Sequence, residues 1–252
     1  MTSIETKIIL NEKVAKDFYK LRFLWKKEWG APVAGNFCEI KTNDLSAPLL
    51  RRPFAFSAYD ESKDFAEIIY QKRGTATDIL SKKREGENLP IIAPLGNSFY
   101  ENISQKKRVF AVAGGVGLGP ILFAVKTSPL PAFLVAGFRD KDFVPENSVF
   151  AETNSTICTD DGSDGFSGNV VQFLKTTDIT GDDLIIACGP TPMLKALHDF
   201  AAEKNIECRV SMEEMMACGV GACMGCVILA CDEKYRRVCK EGPVFDSRGL
   251  RW

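Results

Sequence analysis

The chain has 252 residues, which at roughly 150 residues per domain points to two domains, or two with a small appendage. Hydrophobic residues make up 45% and charged residues 26%, so disordered, collagen-like and coiled-coil readings are disfavoured. With 32 Lys and Arg against 33 Asp and Glu, a formal net charge of -1, there is no global positive field for nucleic acid or an anionic membrane, and a charged partner must be bound locally.

The N-terminal stretch alternates charged and apolar residues, with no signal core or transit pattern, which places the protein in the cytoplasm. From residue 3 to about 100, short β-rich stretches at Lys7 to Leu10, Phe18 to Trp25, Phe37 to Ile40 and Phe65 to Gln71 are punctuated by Gly, Pro, Asn and Asp. This texture predicts an antiparallel barrel. Within it, the run Arg51-Arg52-Pro53-Phe54-Ala55-Phe56-Ser57 puts a guanidinium at a strand edge, where its fork suits phosphate oxygens and the following backbone can run along a planar ring. The run from Tyr70 and Gln71 through Gly74 to Thr77 offers an aromatic face and then a helix start with hydroxyls. Taken alone, the two segments read better as a basic surface edge and a capped turn.

From Arg108 the texture changes. Apolar runs at 109–113, 132–136 and 184–187, separated by helix-sized segments, suit parallel strands covered by helices on both faces. The longest uncharged apolar run, Val109 to Val125, is 17 residues long and carries four glycines and a proline, which makes it a poor membrane span. Its glycine turn, Gly114-Gly115-Val116-Gly117-Leu118-Gly119-Pro120, follows a strand and opens a helix where a pyrophosphate could sit, although Pro120 stands where G-x-G-x-x-G needs its last glycine. A tight turn without a ligand is the alternative. Arg139 and Asp140 follow the second strand; one would welcome a 2'-phosphate and the other repel it, so NAD and NADP stay open. The acidic turn from Thr159 to Gly165 reads as surface, with closure of the same crevice as the alternative.

A further apolar strand ends at Cys188-Gly189-Pro190, at the carboxyl edge where open α/β sheets bind ligands, and Cys188 reads equally as a packed core thiol. Thr191 as N-cap and Pro192 start the clearest helix, with Met193, Leu194, Leu197, Phe200 and Ala201 on one stripe. His198, the only histidine, falls on its polar flank and is expected at the surface without a catalytic role. After Arg209 the chain becomes Cys- and Gly-rich and loop-dominated.

Nine cysteines is an odd count, and five of them crowd into residues 218–239, which argues for a metal site over a disulfide framework. Cys218, Cys223, Cys226 and Cys239 spell C-x4-C-x2-C-x12-C, the plant-type spacing of a two-iron, two-sulfur cluster. A zinc knuckle would more usually show two close pairs. Cys38, Cys158, Cys208 and Cys231 are expected as spare buried thiols.

Taken in order, Arg52-Pro53-Phe54, Tyr70 with Gly74 to Thr77, Pro94-Leu95-Gly96-Asn97, the 114–120 loop, Cys188-Gly189-Pro190 and the four-cysteine cluster resemble the ferredoxin reductase-like superfamily, specifically the electron-transfer subunits of class 1B dihydroorotate dehydrogenases. The resemblance covers nearly the whole chain. It implies an FAD-binding β-barrel at 1–101, an NAD-binding α/β domain at 102–208 and a 2Fe-2S segment at 209–252. Arg52, Pro53, Phe54 and Ala55 would line the flavin, with Tyr70, Gln71, Ala76 and Thr77 completing its site. NAD would lie over Gly114, Gly115, Gly117 and Gly119 and beside Cys188, Gly189 and Pro190, and the four cysteines would be the cluster ligands. An FMN-containing dihydroorotate dehydrogenase catalytic subunit would complete a heterotetramer in pyrimidine biosynthesis, and no side-chain acid or base would be needed here. Two positions depart from the family pattern: Ala55 where Arg-Pro-x-Ser has serine, and Ala76 where Gly-x-Gly-Thr has glycine. The same module could serve a hydrogenase, a sulfide-linked or NADP-linked oxidoreductase, a bifurcating complex or a soluble acceptor, and a zinc-stabilised binding module is the reading from another class.

Overall fold

The computed structural model describes residues 2–43, 47–103 and 105–252. Six antiparallel strands, β1 (Thr2–Ala15), β2 (Phe18–Leu24), β3 (Phe37–Ile40), β4 (Arg52–Asp60), β5 (Phe65–Gln71) and β6 (Asn88–Leu95), close a barrel in the order β1-β2-β5-β4-β3-β6. Alternation drives closure. In β6 the even turn of the pleat buries Leu89, Ile91, Ala93 and Leu95 while their neighbours stay half-buried or exposed. Trp25 and Phe56 meet edge-on, with ring centroids 5.4 Å apart, in the barrel core. Helix α1 (Thr75–Lys82) joins β5 to β6.

The second layer alternates strand and helix: β7 (Val109–Gly114), α2 (Leu118–Lys126), β8 (Ala132–Phe138), β9 (Ser155–Thr159), β10 (Phe166–Ser167), α3 (Val170–Lys175), β11 (Leu184–Cys188), α4 (Thr191–Glu203) and β12 (Glu207–Ser211). The strands are parallel in the order β10-β9-β8-β7-β11-β12. Residues 118–124 of α2 are all buried, because this helix is clamped between the sheet and the barrel and has no solvent face.

The last segment adds β13 (Val227–Leu229) and β14 (Tyr235–Arg237), a hairpin, and β15 (Val244–Asp246), which pairs antiparallel with β12 and becomes the seventh strand of the central sheet. Three expectations are revised here. The boundary drawn after residue 208 falls inside β12, whose buried Cys208, Val210 and Ser211 continue the sheet. The loop-dominated segment carries three short strands, whose brevity hid them from pattern reading. Helix α4 starts at Thr191 itself, with Pro190 at the cap: the Pro190 carbonyl accepts from Met193 and Leu194 N–H at 2.9 and 3.1 Å, and its ring, having no polar atom, makes no side-chain cap bond.

His198 is half-buried: its ring stacks on Trp252 at 5.4 Å and its Nδ1 lies 3.1 Å from Ser247 Oγ. The C-terminal tail covers the polar flank of the helix, a contact no local pattern shows. Cys38, Cys158 and Cys208 are buried as expected, whereas Cys231 is exposed, its Sγ donating to the Leu250 carbonyl at 3.1 Å. No helix among the described residues is long and apolar enough to cross a membrane.

Candidate functional site

The order of the central sheet reverses between β7 and β11, and a cleft of about 350 Å3 opens there, at the carboxyl ends of the parallel strands and against the barrel. This is where an α/β sheet takes a ligand, since the chains leaving the two strands diverge. Gly114 and Gly115 line it from β7, Pro190 and Met193 from the turn after β11, Phe138 and Arg139 from β8, Asp160 from β9 and Asn169 from the start of α3. Phe18 and Gln71 close it from the barrel.

The glycines have separate reasons. A Cβ on Gly114 would lie 2.6 Å from Met193 Sδ and 2.8 Å from Pro190 Cδ, and one on Gly117 would collide with the Cys188 carbonyl. These two residues therefore let the turns after β7 and β11 approach each other. Gly115, at φ 53, meets nothing nearer than Phe18 Cζ at 3.9 Å, so its backbone faces open cleft. Gly119 is buried, and a Cβ there would pack 3.4 Å from Ile69 of the barrel. Cys188 is half-buried at the end of β11, and burial pushes its thiol up to about 12. Of the residues expected to touch a dinucleotide, the structure brings Gly114, Gly115 and Pro190 to the cleft wall, with Gly189 packed against Gly114 behind them. Gly117, Gly119 and Cys188 stand behind that wall and shape it.

On the barrel, Arg52, Pro53, Phe54 and Ala55 lie half-buried along β4. Arg52 Nη1 donates to the Leu50 and Arg51 carbonyls at 2.7 and 3.1 Å, and Arg51 Nη1 donates to the Pro90 carbonyl at 2.9 Å. Tyr70 offers no open aromatic face. It is 1% exposed, stacked on Tyr19 at 5.5 Å and edge-on to Phe54 at 5.8 Å, and its hydroxyl donates to Asn11 Oδ1 at 3.0 Å. Position 70 falls on the inward side of β5, so strand parity gives Gln71 the cleft instead.

The start of α1 is open. A Cβ on Gly74 would meet nothing within 4 Å, and the first-turn N–H groups of a helix have no intrahelical acceptor. Thr77 Oγ1 accepts from Arg73 and Gly74 N–H at 2.9 and 3.1 Å and donates to the Gly74 carbonyl, so its hydroxyl serves the cap. The Ala76 methyl is buried, 6% exposed, and so leaves the N–H face clear for a pyrophosphate. Ser57 is buried with Oγ 3.2 Å from Glu67 Oε1 after a register shift between Phe56 and Ala58, so it does not substitute for the hydroxyl missing at Ala55.

The four cysteines surround one loop: Cys226 and Cys239 are buried, Cys218 is half-buried and Cys223 is exposed. Backbone N–H groups converge on the sulfurs. Ala222 donates to Cys218 at 3.3 Å, Gly221 to Cys239 at 3.2 Å, Gly225 to Cys223 and Cys239 to Cys226, both at 3.4 Å. Gly219 and Gly221, at φ 65 and 83, make that curl of N–H groups possible. Burial works against ionisation of Cys218, yet the N–H groups of Val220 and Ala222, with Cys223, pull its thiol down to about 6. Cys239 is pushed up to about 12 by burial and by the neighbouring Cys226. Donors aimed at thiolates fit an iron-sulfur cluster. Among the described residues no three Cys, His, Asp or Glu converge on a single ion, and a two-iron cluster asks for only two thiolates per iron.

The loop lies directly on the barrel. A Cβ on Gly219 would sit 2.6 Å from Glu39 Cγ of β3, a side chain 1% exposed whose carboxylate oxygens have no hydrogen-bond partner and which burial pushes up to about 7. Cys226 and Cys239 share one apolar cluster with Phe37 and Leu95, and Ala55 of β4 packs against it. Phe18, Phe138, Asn169 and Met193 line the cleft without having been expected there; the rule that ligands sit at the carboxyl ends of parallel strands could have found Phe138 and Asn169, but nothing local marks Phe18.

Residues 213–251 match the model of the iron-sulfur cluster binding domain of dihydroorotate dehydrogenase B. The dihydroorotate dehydrogenase B (NAD(+)) electron transfer subunit of Caldanaerobacter subterraneus is 36% identical over 248 residues, covering 96% of both chains. That of a Geobacillus species is 36% identical over 249 residues, covering 95% of both. A solved NADH-dependent reduced ferredoxin-NADP oxidoreductase, studied for flavin-based electron bifurcation, superposes with a TM-score of 0.86 at 26% identity, over 98% of this chain and 90% of that one. Phthalate dioxygenase reductase shares the fold at 15% identity, with a TM-score of 0.65 over 96% and 93% of the two chains.

Proposed function

The chain belongs to the electron transfer subunits of dihydroorotate dehydrogenase B, and on that premise we propose that it carries electrons from an FMN-containing catalytic subunit to NAD+ in the cytoplasm, within a heterotetramer of pyrimidine biosynthesis. The bound groups supply the redox chemistry: a 2Fe-2S cluster moves single electrons, and FAD converts them to the hydride that NAD+ accepts. The packing of Ala55 of the flavin strand against the apolar cluster that holds Cys226 and Cys239 supports this reading, because a residue expected to line the flavin and two expected cluster ligands meet in one contact.

The chain's own residues bind and orient. The N–H groups opening α1 and the guanidinium of Arg52 would hold the FAD phosphates, and the β4 backbone from Pro53 to Ala55 would line its ring. Gly115 and Pro190, which line the cleft, would seat the dinucleotide, with Phe18 and Gln71 on the barrel side. Arg139 lies over the Phe143 ring at 4.4 Å with its Nε 3.1 Å from Asp140 Oδ2. Cys223 is the exposed one of the four cysteines; Met224, 51% exposed, follows it, and Met215, 87% exposed, precedes Cys218 by three residues. The catalytic subunit docks over this edge, since adaptable methionines suit a contact that must bring a second redox centre close.

The test is anaerobic NAD+ reduction by dihydroorotate with the cofactor-loaded chain, its FMN partner, and the two mixed. Activity only in the mixture, lost in Cys223→Ser, supports the reading. An inactive mixture, from a chain that still oxidises NADH with artificial acceptors, would move the module to another partner, such as a bifurcating complex.

A further inference from the structure

We infer that Asn97 is a positioning residue for electron transfer between flavin and cluster, acting through the segment that carries Cys239. The inference rests on the function proposed above. Where the chain leaves β6, Gly96 at φ 82 comes so close to the C-terminal segment that a Cβ would lie 2.5 Å from Pro243 Cδ and 3.2 Å from the Gly242 carbonyl. The next residue turns its backbone N–H and both polar atoms of its side chain to that segment. Asn97 N–H donates to the Gly242 carbonyl at 3.0 Å; its Nδ2 donates to the Val244 carbonyl at 2.8 Å and the Glu241 carbonyl at 3.3 Å; its Oδ1 accepts from Val244 N–H at 2.9 Å.

Asn97 is held from the barrel side as well. Its carbonyl and that of Gly96 accept from Asn36 Nδ2 at 3.3 and 3.0 Å, and a Cβ on Gly35 would lie 2.6 Å from the Asn97 oxygen. Asn36 immediately precedes β3, whose Phe37 packs with Cys226 and Cys239. Glu241 lies two residues beyond Cys239, and Val244 begins β15. One amide therefore ties the barrel that carries the flavin strand to the point where the chain passes from the last cluster ligand to the central sheet. A carboxamide is needed there because donor and acceptor are used at once. The side chain touches no cofactor, so its effect is on separation and orientation, to which transfer rates are steeply sensitive.

The experiment compares Asn97→Asp and Asn97→Ala with the unchanged protein, each loaded with FAD and cluster and mixed with NADH under anaerobic stopped flow. Asn97→Asp keeps the shape and the acceptor for Val244 N–H while removing both donors. The expected result is unchanged FAD and iron per chain and an unchanged NADH-to-flavin step. The next step, in which one electron leaves the reduced flavin and enters the oxidised cluster, slows about tenfold or more. Amide exchange in residues 240–246 should rise in Asn97→Ala. Unchanged transfer in both variants would overturn the inference, and so would loss of iron from Asn97→Asp, which would make Asn97 a cluster-retention residue. Failure of the unchanged chain to take up FAD or iron would instead defeat the underlying reading of function.

Discussion

Replacing Gly117 by alanine tests why the turn after β7 is glycine-rich. The added methyl would collide with the Cys188 carbonyl oxygen and lie 2.5 Å from its carbon and 2.9 Å from Gly189 N. All three are backbone atoms, so no side chain can swing away. Relief to an ordinary contact needs a shift of about 1 Å, but β7 and β11 are paired in register from Val109↔Leu184 to Ala113↔Cys188, so the turn moves only by opening that ladder. Overpacking of this kind costs about 1–3 kcal/mol, and contact with backbone puts it near 3 kcal/mol, about two powers of ten in the folding equilibrium. Gly115→Ala is the control: it meets no atom closer than 3.9 Å and bears only the cost of a left-handed φ, about 1 kcal/mol. Urea unfolding followed by circular dichroism gives both values, and calorimetric titration with NAD+ reports the cleft. If Gly117→Ala proved no more destabilising than Gly115→Ala, the close approach of the two turns would not be the reason for glycine at 117.

Two further outcomes follow from the barrel and the cluster segment. Glu241, hydrogen-bonded through its carboxylate to Arg237, which also donates to the Gly221 carbonyl at 2.6 Å, is held down at about 2 from an ordinary 4.5. A lowered carboxylate contributes stability above its unfolded value and loses it as pH falls through the folded one. The stability difference between the unchanged chain and Glu241→Gln should therefore be full above pH 4.5 and shrink towards zero near pH 2, measured as urea midpoints across that range. Ala76→Gly, which restores the family's glycine, should lower stability by up to about 1 kcal/mol and leave the FAD dissociation constant unchanged, because the methyl points into the core and not at the N–H face; tighter FAD binding in a fluorescence titration would show that the methyl does obstruct it.

Local chemistry in the sequence determined the longer elements and the cysteine spacing. The spacing of Cys218, Cys223, Cys226 and Cys239 is fixed along the chain and was legible without a fold; the φ of Gly219 and Gly221 that aims N–H groups at sulfur is seen only in the structure. Periodicity likewise announced β2, β3, β5, β7, β8 and β11, and the ordered motifs carried the family. What depended on contact between distant segments was not legible. Strand parity buries Tyr70 beneath Tyr19 and gives Gln71 the cleft, a one-residue difference that a motif read as a string does not resolve. Gly119 and Cys188 shape the wall behind the cleft because α2 is pressed between two layers. Trp252 reaches back onto His198, and β15 joins the sheet from beyond the cluster. Each of these is set by side chains far apart in the chain finding one another when the layers close, and only the tertiary structure decides them.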